Sequence, residues 1–105
     1  MIYHTWWDGF TMSLSVIREL ADLSSVNSLK WSTPNTQLYR EGFVTFSDYL
    51  SVIDNGGEHV WSHALGAVGF ITHLSGFWPE YTSEIWDLLQ RRRYDDVIDR
   101  LSHFK

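Results

Sequence analysis

The chain has 105 residues, of which 44% are hydrophobic and 20% are charged, and it carries a formal net charge of -5. These proportions are typical of a folded globular protein and argue against a disordered or fibrous class, so we expect a single domain over residues 1–105. The negative charge repels phosphate backbones, which argues against nucleic acid as a partner.

Two further features of the sequence bear on location. The chain has no cysteine, which excludes disulfides and thiolate metal sites and is compatible with a reducing compartment. The longest uninterrupted apolar run, Ala64 to Ile71, is too short for the roughly 20 residues that cross a bilayer. We therefore expect a soluble protein of the cytoplasm with no membrane partner.

Short apolar runs alternate with amphipathic segments along the chain, and this alternation predicts parallel strands connected by helices. The first unit is a strand over residues 1–5, a turn at Asp8 and Gly9, and a helix that begins near Ser13. One face of that helix is predicted to be apolar and to comprise Val16, Ile17, Leu20 and Leu23.

The second unit is a strand over residues 26–32 and a less regular segment over residues 36–46. The strand is expected to stop ahead of Pro34, which cannot donate a hydrogen bond to a sheet. Gly42 weakens the following segment as a helix, so both a helix and a loop are open for it.

The third unit is a strand over residues 50–54, a tight Asn-Gly-Gly turn at residues 55–57 and a helix around residues 59–64. In the fourth unit, a strand over residues 68–74 precedes a helix that begins near Pro79. A final helix starts near Tyr94 and has Lys105 late in it, as the helix dipole prefers. The order predicts an α/β fold of about four βα units with a C-terminal helix.

Lys30 is the candidate catalytic residue of the second strand. Strand alternation puts Ser28, Lys30 and Ser32 on one face, while Leu29 and Trp31 point to the other. In an α/β barrel, the lumen face near the carboxyl ends of the strands carries the catalytic groups. A lysine there can attack a carbonyl to form an imine, although a solvent-facing lysine on an edge strand fits the spacing as well.

Two other clusters have competing explanations. His59 and His63 are four residues apart and share a helical face next to Glu58, which would suit zinc. Histidines at this spacing commonly have no metal role, so we predict no metal site. The run Arg91 to Arg93 lies between two helices, where cations interact favourably with the carbonyls of a helix end, and we expect a solvated junction there.

Four ordered runs of residues carry a family resemblance. They are Ile2-Tyr3-His4-Thr5, Val26-Asn27-Ser28-Leu29-Lys30, Val52-Ile53-Asp54-Asn55-Gly56-Gly57-Glu58 and Leu65-Gly66-Ala67-Val68-Gly69-Phe70-Ile71-Thr72. With their spacing, the chain resembles the dihydrodipicolinate synthase and N-acetylneuraminate lyase family over nearly its whole length. The resemblance implies a (β/α)8 TIM barrel and covers it from the fifth strand onward. The barrel is partial, because a complete one needs about 250 residues.

The resemblance also implies a function and a set of site residues. Members of the family are Schiff-base lyases, aldolases or dehydratases that act on a 2-oxo acid such as pyruvate, and no cofactor is expected. Lys30 matches the lysine that forms the imine, and Tyr3 matches the tyrosine that relays protons and contacts the substrate carboxylate. Gly56 matches the glycine after the seventh barrel strand, and Ile71 matches a residue of the eighth strand whose backbone approaches the substrate. Glu58 matches a position that contacts substrate hydroxyls in sugar-acid lyases.

The sequence departs from the family pattern in two places. Trp31 follows the lysine where many members have an acidic residue, and His4-Thr5-Trp6-Trp7 replaces the commoner Asn-x-Pro after the tyrosine. These departures leave the identity of the 2-oxo acid open. A chain that covers half a barrel would also expose strand edges, so we expect a homo-oligomer or a complementing half-barrel as partner. The alternative function is a non-catalytic remnant or assembly module.

Overall fold

The computed structural model describes residues 1–5, 9 and 11–104. Its elements in chain order are β1 (Ile2–His4), α1 (Leu14–Ala21), β2 (Ser28–Trp31), α2 (Thr36–Phe46), β3 (Ser51–Asp54), α3 (His59–Ala64), β4 (Gly69–Phe70), a 3-10 helix (His73–Gly76), α4 (Pro79–Gln90) and α5 (Tyr94–Phe104). The predicted α/β class and the predicted alternation of strands with helices are confirmed.

The strands form one parallel sheet in the order β1-β2-β3-β4. Parallel connections are right-handed, so a sheet whose strands follow the chain order has α1, α2 and α3 against the same face. Alternate burial agrees with this arrangement, because Leu29 and Val52 are buried whereas Tyr3 is 52% exposed. We call the face that carries Tyr3, Lys30 and Ile53 the open face, since α1, α2 and α3 pack on the other side.

The core on the helix side of the sheet explains why residues 36–46 are helical despite Gly42. A Cβ atom at Gly42 would lie 2.5 Å from Cε2 of Trp31, so the glycine lets the buried indole pack directly on α2. The indole Nε1 also donates to the Tyr39 carbonyl over 2.9 Å. The helix alternative for this segment is therefore confirmed, and its glycine serves packing rather than a loop.

The C-terminal helices form a second apolar cluster. Its buried members are Tyr81, Ile85, Leu89 and Val97. Pro79 occupies the first turn of α4, where its missing N–H has no helical acceptor, and Asp95 and Asp96 lie in the first turn of α5. His63 joins α3 to both helices, since its Nδ1 accepts from Tyr94 Oη (2.8 Å) and its Nε2 donates to Gln90 Oε1 (2.9 Å).

The predicted fourth strand over residues 68–74 is wrong in its length. β4 is confined to Gly69 and Phe70, and the last backbone bond to β3 runs from Ile71 N to Asp54 O (2.8 Å). Because β3 ends at Asp54, the residues after Ile71 have no strand to pair with. The Thr72 hydroxyl instead accepts from Leu74 N over 3.2 Å and begins the 3-10 helix.

Three smaller corrections concern the first two units. Both strands are shorter at each end than predicted, and α1 ends at Ala21, ahead of Leu23. Val16 and Leu23 are 42% and 53% exposed, so the apolar face of the helix is narrower than predicted and rests on buried Ile17 and partly buried Leu20. The turn predicted at Asp8, the Trp6-Trp7 pair and Lys105 lie outside the described residues.

The remaining features of the chain concern its surface. The arginine run between α4 and α5 is solvated as predicted, with Arg91 paired to Asp87 (3.2 Å) and Arg93 paired to Asp96 (2.6 Å). Within the ranges that the structure describes, no helix is both long and apolar enough to span a membrane.

Candidate functional site

Lys30 and Tyr3 lie side by side on the open face. They are register partners of the β1–β2 pair, and the Lys30 Nζ is 4.1 Å from the centroid of the Tyr3 ring. An ammonium group at this distance is attracted to the electron-rich ring face. The structure thus brings together the two residues that were predicted to be catalytic, near the carboxyl ends of their strands.

The neighbours of Lys30 differ along its own strand. Ser28 is partly exposed, as the predicted shared face requires. Ser32, predicted on the same face, is instead buried beyond the end of β2, where its hydroxyl donates to the His4 carbonyl over 3.4 Å. On the neighbouring strand, Ile53 is the register partner of Lys30. Lys30 therefore lies between Tyr3 and Ile53 in the register of the sheet.

His4 holds the carboxyl ends of β1 and β2 together. Its Nδ1 donates to the Ser32 carbonyl (2.9 Å), and its Nε2 accepts from the Met12 backbone amide (3.0 Å). The ring also packs on Trp31 with centroids 4.7 Å apart. Both nitrogens are engaged in structural bonds, so His4 supports the site without offering a free base to it.

A buried carboxylate, Asp54, organises the turn at the end of β3. It has no exposed surface, and its Oδ1 accepts from the Tyr39 hydroxyl and from the backbone amides of Gly56 (2.7 Å) and Gly57 (3.3 Å). Gly57 has a φ of 87°, a backbone conformation that glycine adopts at little cost. The Asp54 carboxylate therefore supplies the hydrogen-bond acceptor that these two turn amides would otherwise find on a neighbouring strand.

The other oxygen of Asp54 anchors the start of α3. Its Oδ2 accepts from the Ser62 hydroxyl (2.9 Å) and lies 3.3 Å from His59 Nδ1, which donates to it. The His59 ring packs on Phe70 of β4 with centroids 4.2 Å apart. One side chain thus connects the turn, α3 and, through His59, the edge strand.

The hydrogen bonds decide the charge of this cluster. Burial alone would raise the pKa of the Asp54 carboxyl, but donation from His59, Tyr39, the Gly56 amide and Ser62 outweighs burial and lowers it. The pKa of the Tyr39 hydroxyl is raised, first by burial and then by the adjacent Asp54 charge. Asp54 is therefore ionised and Tyr39 is a neutral donor over the ordinary range of pH.

A cavity of about 330 Å³ lies at the carboxyl ends of β2 and β3. Its lining comprises Thr33, Pro34, Thr36, Tyr39, Asn55, Gly56 and Glu58. Two residues predicted to bind substrate, Gly56 and Glu58, therefore share one cavity. A Cβ atom at Gly56 would lie 2.5 Å from the Tyr39 ring, so the position requires glycine.

Glu58 and Ile71 occupy different surroundings. The Glu58 carboxylate is partly exposed and lies 4.0 Å from Arg40 Nη2, and that guanidinium packs over the Trp61 ring at 4.1 Å. Ile71 is exposed next to the end of β4 and contacts the site through its backbone bond to Asp54. It is absent from the lining of the cavity that holds Gly56 and Glu58.

Asp54 and Tyr39 were not among the predicted site residues. The available signal was an aspartate at the end of a buried strand, directly before an Asn-Gly-Gly turn, where such a side chain commonly accepts turn amides. Tyr39 carried no comparable signal, because its partner lies 15 residues away on another element.

The zinc alternative finds no support in the geometry. His63 uses both ring nitrogens on Tyr94 and Gln90, and His59 uses Nδ1 on Asp54. Among the residues that the structure describes, no group of three or more His, Asp or Glu side chains could hold a metal ion.

Comparison with known proteins returned no relatives. No family model matches the chain, and neither the curated proteins nor the solved structures contain a match to it. The resemblance to the dihydrodipicolinate synthase and N-acetylneuraminate lyase family thus stays a prediction from the residues quoted above.

Proposed function

We propose that this chain is the carboxyl-terminal half of an α/β barrel of the dihydrodipicolinate synthase and N-acetylneuraminate lyase type. Lys30 would form a Schiff base with a 2-oxo acid such as pyruvate, as in the class I lyases, aldolases and dehydratases of that family. The observation that carries the proposal is the Lys30–Tyr3 pair on the open face of the sheet. The cysteine-free composition supports a reducing compartment, the cytoplasm, as its location.

The strand order supports the half-barrel. In a complete barrel every helix lies outside and the catalytic side chains point into the lumen from the inner face. Four consecutive parallel strands with α1, α2 and α3 on one side have that arrangement, and Lys30 lies on the side without them. A doubly wound sheet would have helices on both faces.

The chemistry requires an amine, a carbonyl and a proton relay. The uncharged Lys30 amine attacks C2 of the 2-oxo acid to give a carbinolamine, which loses water to form the imine, and a protonated imine withdraws electrons from the adjacent carbon. We assign to the Tyr3 hydroxyl the exchange of protons with these intermediates, since the Tyr3 ring adjoins the Lys30 nitrogen.

Borohydride reduction tests this proposal directly. With pyruvate present, hydride converts the imine to a secondary amine, so mass spectrometry of peptides should find a 1-carboxyethyl group on Lys30. The sequence contains one other lysine, Lys105, which reports non-specific labelling. We expect Lys30→Arg to abolish the adduct and Lys105→Arg to leave it unchanged. Equal labelling of both lysines, or none on folded protein, would contradict the proposal.

A second candidate function is a non-catalytic assembly module. β1 and β4 each have a single strand neighbour in the described part of the chain, so each offers backbone groups to a further strand. A cavity of about 380 Å³ also lies along Val68, Gly69 and Phe70 of the β4 edge. A second copy or a separate first half would suit these edges. Light scattering that finds a stable monomer over a wide concentration range would contradict this candidate.

A further inference from the structure

We propose that Asp54 is a positioning residue, whose carboxylate sets the conformation of the loop over residues 55–58 and thereby the affinity of the site for its 2-oxo acid. The inference rests on the proposed function, because it concerns the same site. Asp54 lies on the covered side of β3 with no exposed surface. It therefore cannot touch a substrate on the open face and can act only through the residues it holds.

The loop over residues 55–58 leaves the sheet directly after its first residue. Asn55 N continues the sheet by donating to Trp31 O (2.9 Å), but the next two amides turn away and donate to Asp54. These amides belong to Gly56 and Gly57, directly before Glu58. Without the carboxylate, the donors of these two part-buried hydrogen bonds would lose their acceptor, and the loop would relax toward solvent.

The loop over residues 55–58 is also coupled to α2. Tyr39 donates to Asp54 and packs its ring against Gly56, while the next residue, Arg40, lies 4.0 Å from Glu58. One turn of α2 therefore meets the loop at both of its ends. Glu58 is also the N-cap residue of α3 but makes no capping hydrogen bond there, which leaves its carboxylate directed by Arg40.

The loop begins next to the strand that carries the Lys30 amine. Lys30 is the register partner of Ile53, and the loop begins two residues later at Asn55, whose amide donates to O of Trp31, the residue after Lys30 (2.9 Å). A small 2-oxo acid bound at the amine would approach the beginning of this loop. Since Asp54 orders the loop before substrate arrives, its loss should weaken binding and leave the imine chemistry at Lys30 largely intact.

The experiment measures borohydride labelling of Lys30 as a function of pyruvate concentration. It separates the half-saturating concentration of pyruvate from the limiting labelling rate. For Asp54→Ala we expect the half-saturating concentration to rise about 10-fold or more while the limiting rate stays within about twofold. Asp54→Asn keeps one acceptor oxygen, so its half-saturating concentration should lie clearly between those of the wild type and Asp54→Ala. The control Asp48→Ala removes an exposed aspartate and should change neither quantity.

Backbone amide exchange supplies a readout that does not depend on pyruvate. Gly56 and Gly57 should exchange faster in Asp54→Ala than in the wild type, with Asp54→Asn between them. Should Asp54→Ala fail to fold, the folded Asp54→Asn protein decides: faster loop exchange with an unchanged half-saturating concentration overturns the inference. An equal loss of rate and affinity also overturns it. No adduct on the wild type refutes the proposed function itself and, with it, the inference that rests on it.

Discussion

Replacing Gly42 with alanine should destabilise the protein, although the same change in an exposed helix would stabilise it. Alanine favours the helical state by about 1 kcal/mol relative to glycine. At this position, however, the new methyl group would lie 2.5, 2.6 and 2.8 Å from three atoms of the Trp31 indole, which is buried and cannot yield freely.

The magnitude follows from the contacts of that indole. Overpacking a core costs about 1–3 kcal/mol, and a displaced ring would leave its buried Nε1 donor without the Tyr39 carbonyl, which costs about 1–3 kcal/mol more. After subtraction of the gain in helix propensity, the middle of these ranges is a net loss of about 3 kcal/mol.

Urea unfolding followed by far-ultraviolet circular dichroism measures this loss. The matched control is Gly76→Ala, because a Cβ atom there meets no atom within 4 Å. We expect Gly76→Ala to leave the free energy of unfolding nearly unchanged and Gly42→Ala to lower it. A Gly42→Ala protein as stable as the wild type would refute the argument that the glycine is required by Trp31.

Three further predictions concern stability. The folded pKa of Asp54 lies below its ordinary value of 3.8, so its contribution to the free energy of unfolding is present above that pH and is lost as the pH falls further. Asp54→Asn should therefore lose less stability than the wild type in an acid titration. The folded pKa of Tyr39 is raised above its ordinary value of 10.0, so its contribution to the free energy of unfolding is present below pH 10.0 and is lost as the pH rises further. Tyr39→Phe should therefore lose less stability than the wild type in an alkaline titration. Arg92 has a φ of 57°, so Arg92→Gly should stabilise by about 1 kcal/mol in thermal unfolding, whereas Arg91→Gly should not.

The sheet and the position of Lys30 were predictable because both depend on patterns along the chain. Side-chain alternation determines which residues of a short strand face the helices, and it separates Lys30 from Leu29 and Trp31 without any knowledge of their neighbours. The Lys30–Tyr3 contact also requires the register of β1 with β2, which parallel pairing alone leaves open, and Tyr3 was predicted only through the family resemblance. Periodicity was therefore sufficient for the side of the sheet on which Lys30 lies, but not for its pairing with Tyr3.

The Asp54 cluster and the length of β4 were not predictable for a shared reason. Each depends on where another element lies: the Tyr39 hydroxyl reaches Asp54 only once α2 has packed, and β4 can extend only as far as β3. Gly42 is a related case, because its effect on α2 is decided by Trp31 on the neighbouring strand. Local propensity carries no information about such partners.

The chain-ordered sheet has a consequence for synthesis of the protein. Each strand pairs with the strand that precedes it in the chain, so β1 and β2 can associate before β3 and β4 have been translated. Each later unit then adds to an edge that already exists, and no early segment must wait exposed for a distant one. Pairing between nearby segments is also the faster kind. We expect the protein to acquire structure vectorially on the ribosome, with β4 and the two final helices last.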